Sequence, residues 1–280
     1  MISKRLFMFH NDRIITANDR FIPGRIRCPG VFETMLYDRG VIYFWERHLR
    51  RLRAGLSLLW FPKLKIRFRP IVRELIRLNG PGKARVRLMI WREGKTFHSA
   101  ATVTPHRAYP SARIHKGFNI YIPRIRLKPF EHPADLKAVS YQPYAQVYQR
   151  ARVAGYDDAL LLNRQTYIAE TSRANIFFVK GKDLLTPACS CGCLKGITRQ
   201  IILDLARAQG YRCRPVRLNP REISAMDEVF LTNSLIGIMP VVAIKGFWNG
   251  QHNRRPVTNA LADAYRGFCQ AYRRTPAKKL

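Results

Sequence analysis

The chain has 280 residues, 47% of them hydrophobic, which is enough for a buried core and for two modest domains. Fifty Lys and Arg against 18 Asp and Glu give a formal net charge of +32, which excludes an acidic protein and favours association with polyanions. No apolar run approaches the length of a membrane span or of a secretory leader, so we expect no membrane segment and a cytoplasmic location.

Short strand patterns dominate the first 45 residues. Residues 5 to 16 predict two strands around a turn, and Val31 to Tyr37 predicts a third strand. The tight turn Asp38-Arg39-Gly40 predicts that the chain returns as a strand from Val41 to Trp45.

The hydrophobic period changes to that of a helix from Glu46 onward. Leucines recur there at helical spacing with arginines between them, at positions 49, 52, 56 and 59. Arg69 to Leu78 predicts a second amphipathic helix. Ala84 to Arg92 alternates basic and apolar residues, as a half-buried strand does, and residues 96 to 104 are its predicted partner.

The second half of the chain mixes strand and helix patterns. The predicted elements are a strand from Phe118 to Pro123, a helix around Tyr144 to Ala151, four strands ending at Pro187, a helix from Gly196 to Gln209, strands at Glu228 to Ser234 and Val241 to Lys245, and a helix from Asn259 to Tyr272. Strict strand–helix–strand alternation is missing, so we predict an α+β fold with substantial antiparallel sheet. Loop-like residues 105 to 111 predict a smaller N-terminal domain over residues 1–110 and a larger C-terminal domain over residues 111–280.

The stretch from Tyr167 to Gln200 carries the clearest site pattern. Glu170 ends a short strand among apolar residues, and Gly196 leads into a helix N-terminus. A carboxylate suits a cation and a helix N-terminus suits an anion. The pattern therefore predicts a two-ended site, and pyridoxal phosphate has this polarity, with a protonatable ring nitrogen at one end and a phosphate at the other.

Several ordered blocks in this stretch resemble a known family. They are Glu170-x4-Asn175-Ile176-Phe177, then Thr186-Pro187, then Gly196-Ile197-Thr198-Arg199. Their spacing is similar to that of the class IV (fold type IV) pyridoxal-phosphate enzymes, which include branched-chain aminotransferases, D-amino-acid aminotransferases and aminodeoxychorismate lyases. The weaker resemblance extends from Gly30 to about Lys245. It implies a fold of two α/β domains, a homodimer, and amino transfer between an amino acid and a 2-oxo acid.

The resemblance also implies roles for single residues at the cofactor. Lys137 occupies the position of the family's Schiff-base lysine, and only a primary amine can fill that role. Glu170 would keep the ring nitrogen protonated, so that the ring can accept electrons. Tyr141, four residues after Lys137, would bond the phenolic oxygen or else be a core tyrosine.

The resemblance implies a phosphate site and a substrate side as well. The implied phosphate-binding residues are Arg51 of a His-x-x-Arg-Leu pattern, the helix start at Gly196, Ile197 and Thr198, and Ser234. The implied substrate-side residues are Phe32, Glu33 and Thr34 of a Phe-Glu block, and Arg87, Arg92 and His98 on a hairpin. Several members carry an arginine where this chain has Leu36, so one route to the substrate carboxylate is missing.

Other functions stay open at the level of sequence. The segment from Thr232 to Val241 looks rather like that of the aminodeoxychorismate lyases, which makes a lyase the main alternative to the aminotransferase. The net charge of +32 favours a nucleic-acid-binding protein, although the basic residues are dispersed and no nucleic-acid-binding motif is present. Cys189-x-Cys191-x-Cys193 lacks the spacing of a zinc site, so we predict no metal.

Overall fold

A computed structural model describes residues 6–16, 26–63, 65–124, 136–140, 142–250 and 254–275. Contacts between residues divide the chain into two compact units. Unit 1 comprises Met1–Ala108, Asp135–Gln142 and Cys269–Leu280, and unit 2 comprises Tyr109–Ala134 and Pro143–Phe268. The segment around Lys137 therefore groups with unit 1, although the sequence-based division assigns it to the C-terminal domain. That division stays a prediction.

Unit 1 is built on an antiparallel sheet. In the described residues its strands are β1 Phe7–His10, β2 Arg13–Thr16, β3 Gly30–Asp38, β4 Val41–Ile42, β5 Lys83–Glu93 and β6 Thr96–Pro105. They lie side by side in the order β2-β1-β6-β5-β3-β4. The pairing of β3 with β5 and of β5 with β6 is long and regular, so these strands form a firm platform in the middle of the unit.

Two helices cover one face of this sheet, α1 Trp45–Leu58 against β3 and α2 Phe68–Asn79 against β6 and β1. Leu52 and Leu56 of α1 are buried, as the periodicity predicts, whereas Leu49 is half-buried and Leu59 follows the end of the helix. The predicted strand from Val41 to Trp45 is wrong beyond Ile42, because Phe44 takes a left-handed conformation and α1 begins at the next residue. A short, fully apolar run does not distinguish a strand from the start of a buried helix.

Unit 2 is built on a mixed sheet. Its described strands are β7 Phe118–Tyr121, β8 Asp158–Leu162, β9 Ile168–Thr171, β10 Asn175–Lys180, β11 Asp183–Pro187, β12 Arg212–Val216, β13 Glu228–Asn233, β14 Gly237–Ile244 and β15 Trp248–Asn249. The order is β12-β11-β10-β13-β14-β7-β8-β9, with β15 beside β14. Three pairs are parallel, β11 with β12, β14 with β7 and β7 with β8.

The described α-helices of unit 2 are α3 Ser111–Lys116, α4 Gln142–Val153 and α5 Ile197–Ala208, and α6 Pro256–Arg274 belongs to unit 2 up to Phe268. Short 3₁₀ helices lie at Cys189–Cys191 and Pro220–Ala225. The core of the unit includes Ile120, Ile176, Phe178, Leu231 and Ile244. This mixture of helices and largely antiparallel sheet confirms the predicted α+β class. Within the described ranges, no helix combines the length and the apolar character that crossing a membrane requires.

Candidate functional site

Lys137 lies against the beginning of strand β3. The amide of Phe32 donates to the carbonyl of Lys137 at 2.9 Å, and the amide of Val139 donates to the carbonyl of Gly30 at 3.0 Å. The Lys137 Nζ lies 4.6 Å from the centroid of the Phe32 ring. The backbone contacts fix this segment to the edge of the sheet, so the amine is half-buried against an aromatic face.

A glycine inside helix α1 permits this packing. A Cβ at Gly55 would lie 2.9 Å from Val31 Cγ1 and 3.3 Å from Leu136 Cδ1. Any larger side chain would push α1 away from β3 and from the segment that carries Lys137. An interior glycine destabilises a helix, but here it allows α1 to pack closely against β3.

A buried charged cluster joins β3 to α1. Arg51 Nε donates to Glu33 Oε1 at 2.7 Å and an Arg51 terminal nitrogen donates to Glu33 Oε2 at 2.8 Å, so the pair is bidentate. His48 Nδ1 lies 2.7 Å from Glu33 Oε2. Glu33 and His48 are fully buried. Strand alternation places Glu33 on the helix-covered face of the sheet together with Val31 and Met35.

The protonation states of this cluster follow from its contacts. Burial alone would raise the pKa of the Glu33 carboxyl, but the charges and hydrogen bonds of Arg51 and His48 lower it to about 2. Burial lowers the pKa of His48 below its usual 6.5, and the opposing charge of Glu33 does not reverse this. Glu33 is therefore ionised at neutral pH, and the neutral His48 donates from Nδ1 to it.

Three of the expected substrate-side residues lie on the opposite face of the same sheet, whereas Arg92 lies on the helix-covered face, with its guanidinium carbon 5.8 Å from the centroid of the Phe61 ring. Thr34 pairs directly with Arg87 across β3 and β5, and Phe32 pairs with Met89, so Phe32, Thr34 and Arg87 share one face. Glu33, the neighbour of both Phe32 and Thr34, points to the other face and contacts Arg51 instead. The Phe-Glu block is thus divided between two faces of the sheet.

His98 lies farther along the hairpin in an aromatic stack. Its ring centroid is 5.2 Å from that of Trp91 and 5.8 Å from that of His10, with nearly parallel planes. Asn11 Nδ2 lies 2.9 Å from His98 Nδ1. These contacts account for a structural histidine, and the substrate-binding role of His98 stays a prediction.

In unit 2 a second buried carboxylate lies between three chain segments. Glu170 on β9 is 5% exposed, and its Oε2 accepts from Asn175 Nδ2 at 3.1 Å and from the Leu194 amide at 3.1 Å. The same Asn175 nitrogen donates to the Leu194 carbonyl at 2.8 Å. Glu170, Asn175 and the loop before α5 therefore form one hydrogen-bonded cluster.

The turn between β9 and β10 fixes the position of Glu170. Asp158 is buried and accepts from Thr171 Oγ1 at 2.9 Å, from the Ser172 amide at 3.2 Å and from the Ser172 hydroxyl. Burial raises the pKa of the Asp158 carboxyl, and the hydrogen bonds from Ser172, Ala159 and Thr171 oppose the rise. This network holds the chain reversal that brings Asn175 back beside Glu170.

The start of α5 lies next to the Glu170 cluster. Gly196 is the residue before the helix and has no side-chain cap, and a Cβ there would overlap Asn175 Oδ1. Thr198 is 2% exposed, and its buried Oγ1 has no hydrogen-bond partner among the residues that the structure describes. First-turn amides and an unsatisfied hydroxyl together make a site that suits an anion such as a phosphate group.

Arg199 joins this helix start to strand β11. Its guanidinium donates to Thr186 Oγ1 at 3.2 Å and to the Pro187 carbonyl at 3.1 Å, and the side chain is buried. Thr186 Oγ1 in turn donates to the Ile176 carbonyl at 2.9 Å. The Thr-Pro and Gly-Ile-Thr-Arg blocks of the sequence therefore meet in space, where they hold α5 on strands β10 and β11.

Two further expected cofactor residues lie elsewhere along the chain. Ser234 lies in the turn between β13 and β14, where Asn233 Oδ1 accepts from the amides of Leu235 and Ile236, both at 2.9 Å. Tyr141 lies outside the described residues. Within those residues, no group of His, Cys, Asp or Glu could hold a metal ion.

Comparisons with known proteins identify the family of this chain. The model of the family "Amino-transferase class IV" matches residues 30–244. The chain belongs to this family. A probable branched-chain-amino-acid aminotransferase of Rickettsia felis is 30% identical over 225 residues, which cover 76% of this chain and 77% of the relative.

Solved structures of the family share the fold. The crystal structure of the Escherichia coli branched-chain amino acid aminotransferase has a TM-score of 0.81 and 25% identity, with 94% of each chain covered. A T.th. branched-chain amino acid aminotransferase, solved with pyridoxamine 5'-phosphate, also has a TM-score of 0.81, at 23% identity over 98% of this chain and 97% of that chain. The predicted family and fold type are confirmed.

The predicted function is confirmed as well. The class IV chain is an aminotransferase, which passes an amino group between an amino acid and a 2-oxo acid. The aminodeoxychorismate lyase alternative is not favoured by these comparisons.

Three residues of this class IV chain have contacts that the sequence does not predict. Asn175 was part of the recognised spacing, but no role followed from it. His48 and Glu33 were quoted in motifs, yet their contact was not predicted. Strand alternation gives one usable signal, since it puts Glu33 on the same face as the core residues Val31 and Met35.

Proposed function

We propose that this aminotransferase uses pyridoxal 5'-phosphate and acts on branched-chain amino acids with a 2-oxo acid as the amino acceptor. The observation that carries the cofactor assignment is the cluster in unit 2, where the buried carboxylate of Glu170 adjoins an uncapped helix start. The unsatisfied Oγ1 of Thr198 fits a phosphate at that start. A relative of the same fold is named with the amino form of this cofactor.

Each end of the cofactor is assigned its own set of residues. The Glu170 carboxylate would hold the protonated ring nitrogen. The phosphate would bind to the Ile197 and Thr198 amides after Gly196, to the Thr198 hydroxyl and to Ser234, and by the family resemblance to Arg51. When bound, this cofactor supplies an aldehyde that takes up the amino group and a ring that accepts electrons.

Lys137 is assigned the chemical steps. Its primary amine would attach to the cofactor and would move the proton at Cα of the amino acid. The Phe32 ring, 4.6 Å from the amine, limits the directions that Nζ can take. The segment is fixed to β3 by two backbone hydrogen bonds, so the amine is held on a rigid element.

The substrate class rests on the apolar residues that are packed beside Lys137. Phe32 belongs to an apolar cluster in unit 1. The other buried members of this cluster are Met8, Ile26, Met89, Trp91, Ala100 and Val139. Such surroundings suit an aliphatic side chain and disfavour a charged one. Arg87, opposite Thr34, is the candidate for the substrate carboxylate. The branched-chain names of the relatives support the same class.

A donor panel tests this proposal. The purified protein would receive L-leucine, L-isoleucine or L-valine with 2-oxoglutarate, in parallel with L-aspartate, D-alanine and aminodeoxychorismate. We expect glutamate from the three branched-chain donors and little from the charged one. Preference for aspartate or D-alanine would overturn the substrate class, and release of pyruvate and 4-aminobenzoate would favour the lyase.

Further properties are also proposals. The family resemblance supports a homodimer, which sedimentation analysis tests directly.

The net charge of +32 and the exposed side chains of Arg47, Arg50 and Arg53 on α1 support non-specific binding of polyanions. Retention on a nucleic-acid column that disappears at high salt would agree with it, and no retention at low salt would contradict it. The cytoplasmic location stays a prediction.

A further inference from the structure

The nitrogen and the oxygen of the Asn175 carboxamide both contact other parts of the chain. The Nδ2 group donates to Glu170 Oε2 at 3.1 Å and to the Leu194 carbonyl at 2.8 Å. The Oδ1 atom lies against Gly196, so closely that a Cβ on Gly196 would overlap it. Asn175 is 6% exposed, so these contacts are made out of water.

The backbone around Asn175 holds the side chain in place. Asn175 is the first residue of β10 and pairs with Thr232 of the neighbouring strand β13. Its side-chain amide therefore starts from a central strand of the sheet and reaches one segment that is distant in sequence, the loop from Leu194, 19 residues further along the chain, to the helix start at Gly196. An asparagine suits this place because its amide has two N–H donors at one end and an acceptor at the other.

We propose that Asn175 is a positioning residue that couples the Glu170 carboxylate to the N-terminus of α5 and thereby sets the affinity for the cofactor. This inference rests on the proposed function, since it takes Glu170 and the α5 start as the two ends of the cofactor site. The residue acts through its neighbours. Its N–H stabilises the charged form of Glu170, and its carboxamide fixes the distance from that carboxylate to the first turn of the helix.

The overlap at Gly196 gives the inference a sharp test. Gly196 has an ordinary extended conformation, with φ of −67° and ψ of 141°, so an alanine there meets no backbone strain. The expected cost of Gly196→Ala comes mainly from the collision with Asn175 Oδ1, the nearest atom to the added Cβ. If Asn175 is first shortened to alanine, most of that collision disappears. The two substitutions should therefore be strongly non-additive.

The experiment compares the apo-forms of the parent, Asn175→Ala, Gly196→Ala and the double variant. Pyridoxal 5'-phosphate is titrated into each, and the dissociation constant and the thermal midpoint of the apo-protein are measured. We expect each single variant to raise the dissociation constant about 10- to 100-fold, the range seen when a residue that orients a ligand-binding group is removed. The double variant should bind no more than about 3-fold more weakly than Asn175→Ala.

A matched control separates positioning from stability. Asn163 is also a buried asparagine of unit 2, and its Oδ1 accepts from the Tyr167 amide at 2.9 Å in a turn outside the cluster. Asn163→Ala should lower the thermal midpoint and leave the dissociation constant of the cofactor unchanged.

The possible contrary outcomes are distinct. If Asn175→Ala binds the cofactor as the parent does, or if the two substitutions add, the inference is overturned while the proposed function stands. If the parent itself binds no pyridoxal 5'-phosphate, the proposed function fails and the inference fails with it. If Asn175→Ala does not fold, Gly196→Ala alone decides, because unchanged cofactor affinity in that variant contradicts the coupling.

Discussion

The two units each bury a glutamate near an expected cofactor residue, but they stabilise it differently. Glu33 of unit 1 has a bidentate ion pair with Arg51 and a hydrogen bond with His48. Glu170 of unit 2 receives two uncharged donors at Oε2, the Asn175 side chain and the Leu194 amide. The Arg51 guanidinium directly opposes the charge of Glu33, whereas the Asn175 carboxamide and the Leu194 amide stabilise Glu170 as neutral donors.

The difference separates two tasks that a carboxylate can have. A carboxylate that is neutralised by its own chain holds its partner in position, so Glu33 orients Arg51. Neutral donors stabilise a carboxylate without removing its charge, so the contacts from Asn175 and Leu194 suit a Glu170 that faces the cationic ring of the cofactor. Variants that exchange or remove these contacts should therefore affect the two units in different measurements.

The largest expected effect is on the stability of unit 1. Glu33→Ala leaves the charge of Arg51 buried without its carboxylate, and breaking a buried pair in this way costs about 3–5 kcal/mol. Urea unfolding of the apo-protein measures the loss. Glu46→Ala on the exposed part of the same α1 is the control and should change the stability by less than about 0.5 kcal/mol. Equal effects of the two substitutions would show that the ion pair contributes nothing specific.

The next effect is on turnover and arises in unit 2. Glu170→Gln keeps the shape of the side chain but removes the charge, so the cofactor still binds and the ring nitrogen loses its anionic partner. We expect kcat to fall about 100- to 1000-fold, as when a preorganised electrostatic contact is lost, with little change in the stability of the apo-protein. Turnover like that of the parent would exclude Glu170 as the ring partner.

The pH dependence of stability should be dominated by unit 1. Both Glu33 and His48 have lowered pKa values in the folded chain, so the unfolded chain binds protons more readily and stability falls as the pH falls. The loss of stability that His48 causes begins below about pH 6.5. The loss of stability that protonation of Glu33 causes begins below about pH 4.5, is nearly complete near pH 2 and amounts to about 3 kcal/mol.

Asp158 of unit 2 has a raised pKa, so its contribution has the opposite sign and is lost as the pH rises. Thermal midpoints of the apo-protein between pH 7 and 5 measure the slope, and His48→Asn should flatten it. An unchanged slope in that variant would mean that His48 titrates alike in the folded and unfolded chains.

A smaller effect distinguishes two adjacent arginines of α1. Arg51 is bonded to Glu33 and is assigned to the phosphate, whereas Arg50 is exposed. Arg51→Ala should weaken cofactor binding by about 1.5–3 kcal/mol, the range for a hydrogen bond to a charged group. Arg50→Ala should weaken it much less. Equal losses in a cofactor titration would mean that the general positive charge of α1, and no specific clamp, is responsible.

Most elements could be predicted from the sequence where one period is sustained. The leucines of α1 and the alternation in β5 are examples. The sequence does not predict strand β12. Residues Arg212–Val216 pair in parallel with β11, and parallel strands are not joined by a tight turn that the sequence would reveal. The helix α3 was missed because six residues carry too little periodicity.

The site was predictable only as far as local spacing reaches. Glu170 and the start of α5 lie within one short stretch, so their order along the chain indicates the two ends of the site. The Glu33–Arg51 pair joins residues 18 positions apart on a strand and a helix, and the sequence does not say which of the neighbouring arginines faces the sheet. Asn175 acts through contacts with the Leu194 loop and Gly196, which only the folded chain brings together.

We propose that Lys137 is the lysine that bears the cofactor of this class IV aminotransferase. Borohydride reduction of the holoenzyme, followed by proteolysis and mass spectrometry, locates the lysine to which the cofactor is attached. We expect a pyridoxyl group on the peptide that contains Lys137 and on no other peptide. A pyridoxyl group on Lys180, Lys182 or Lys195 instead would contradict the assignment of the site.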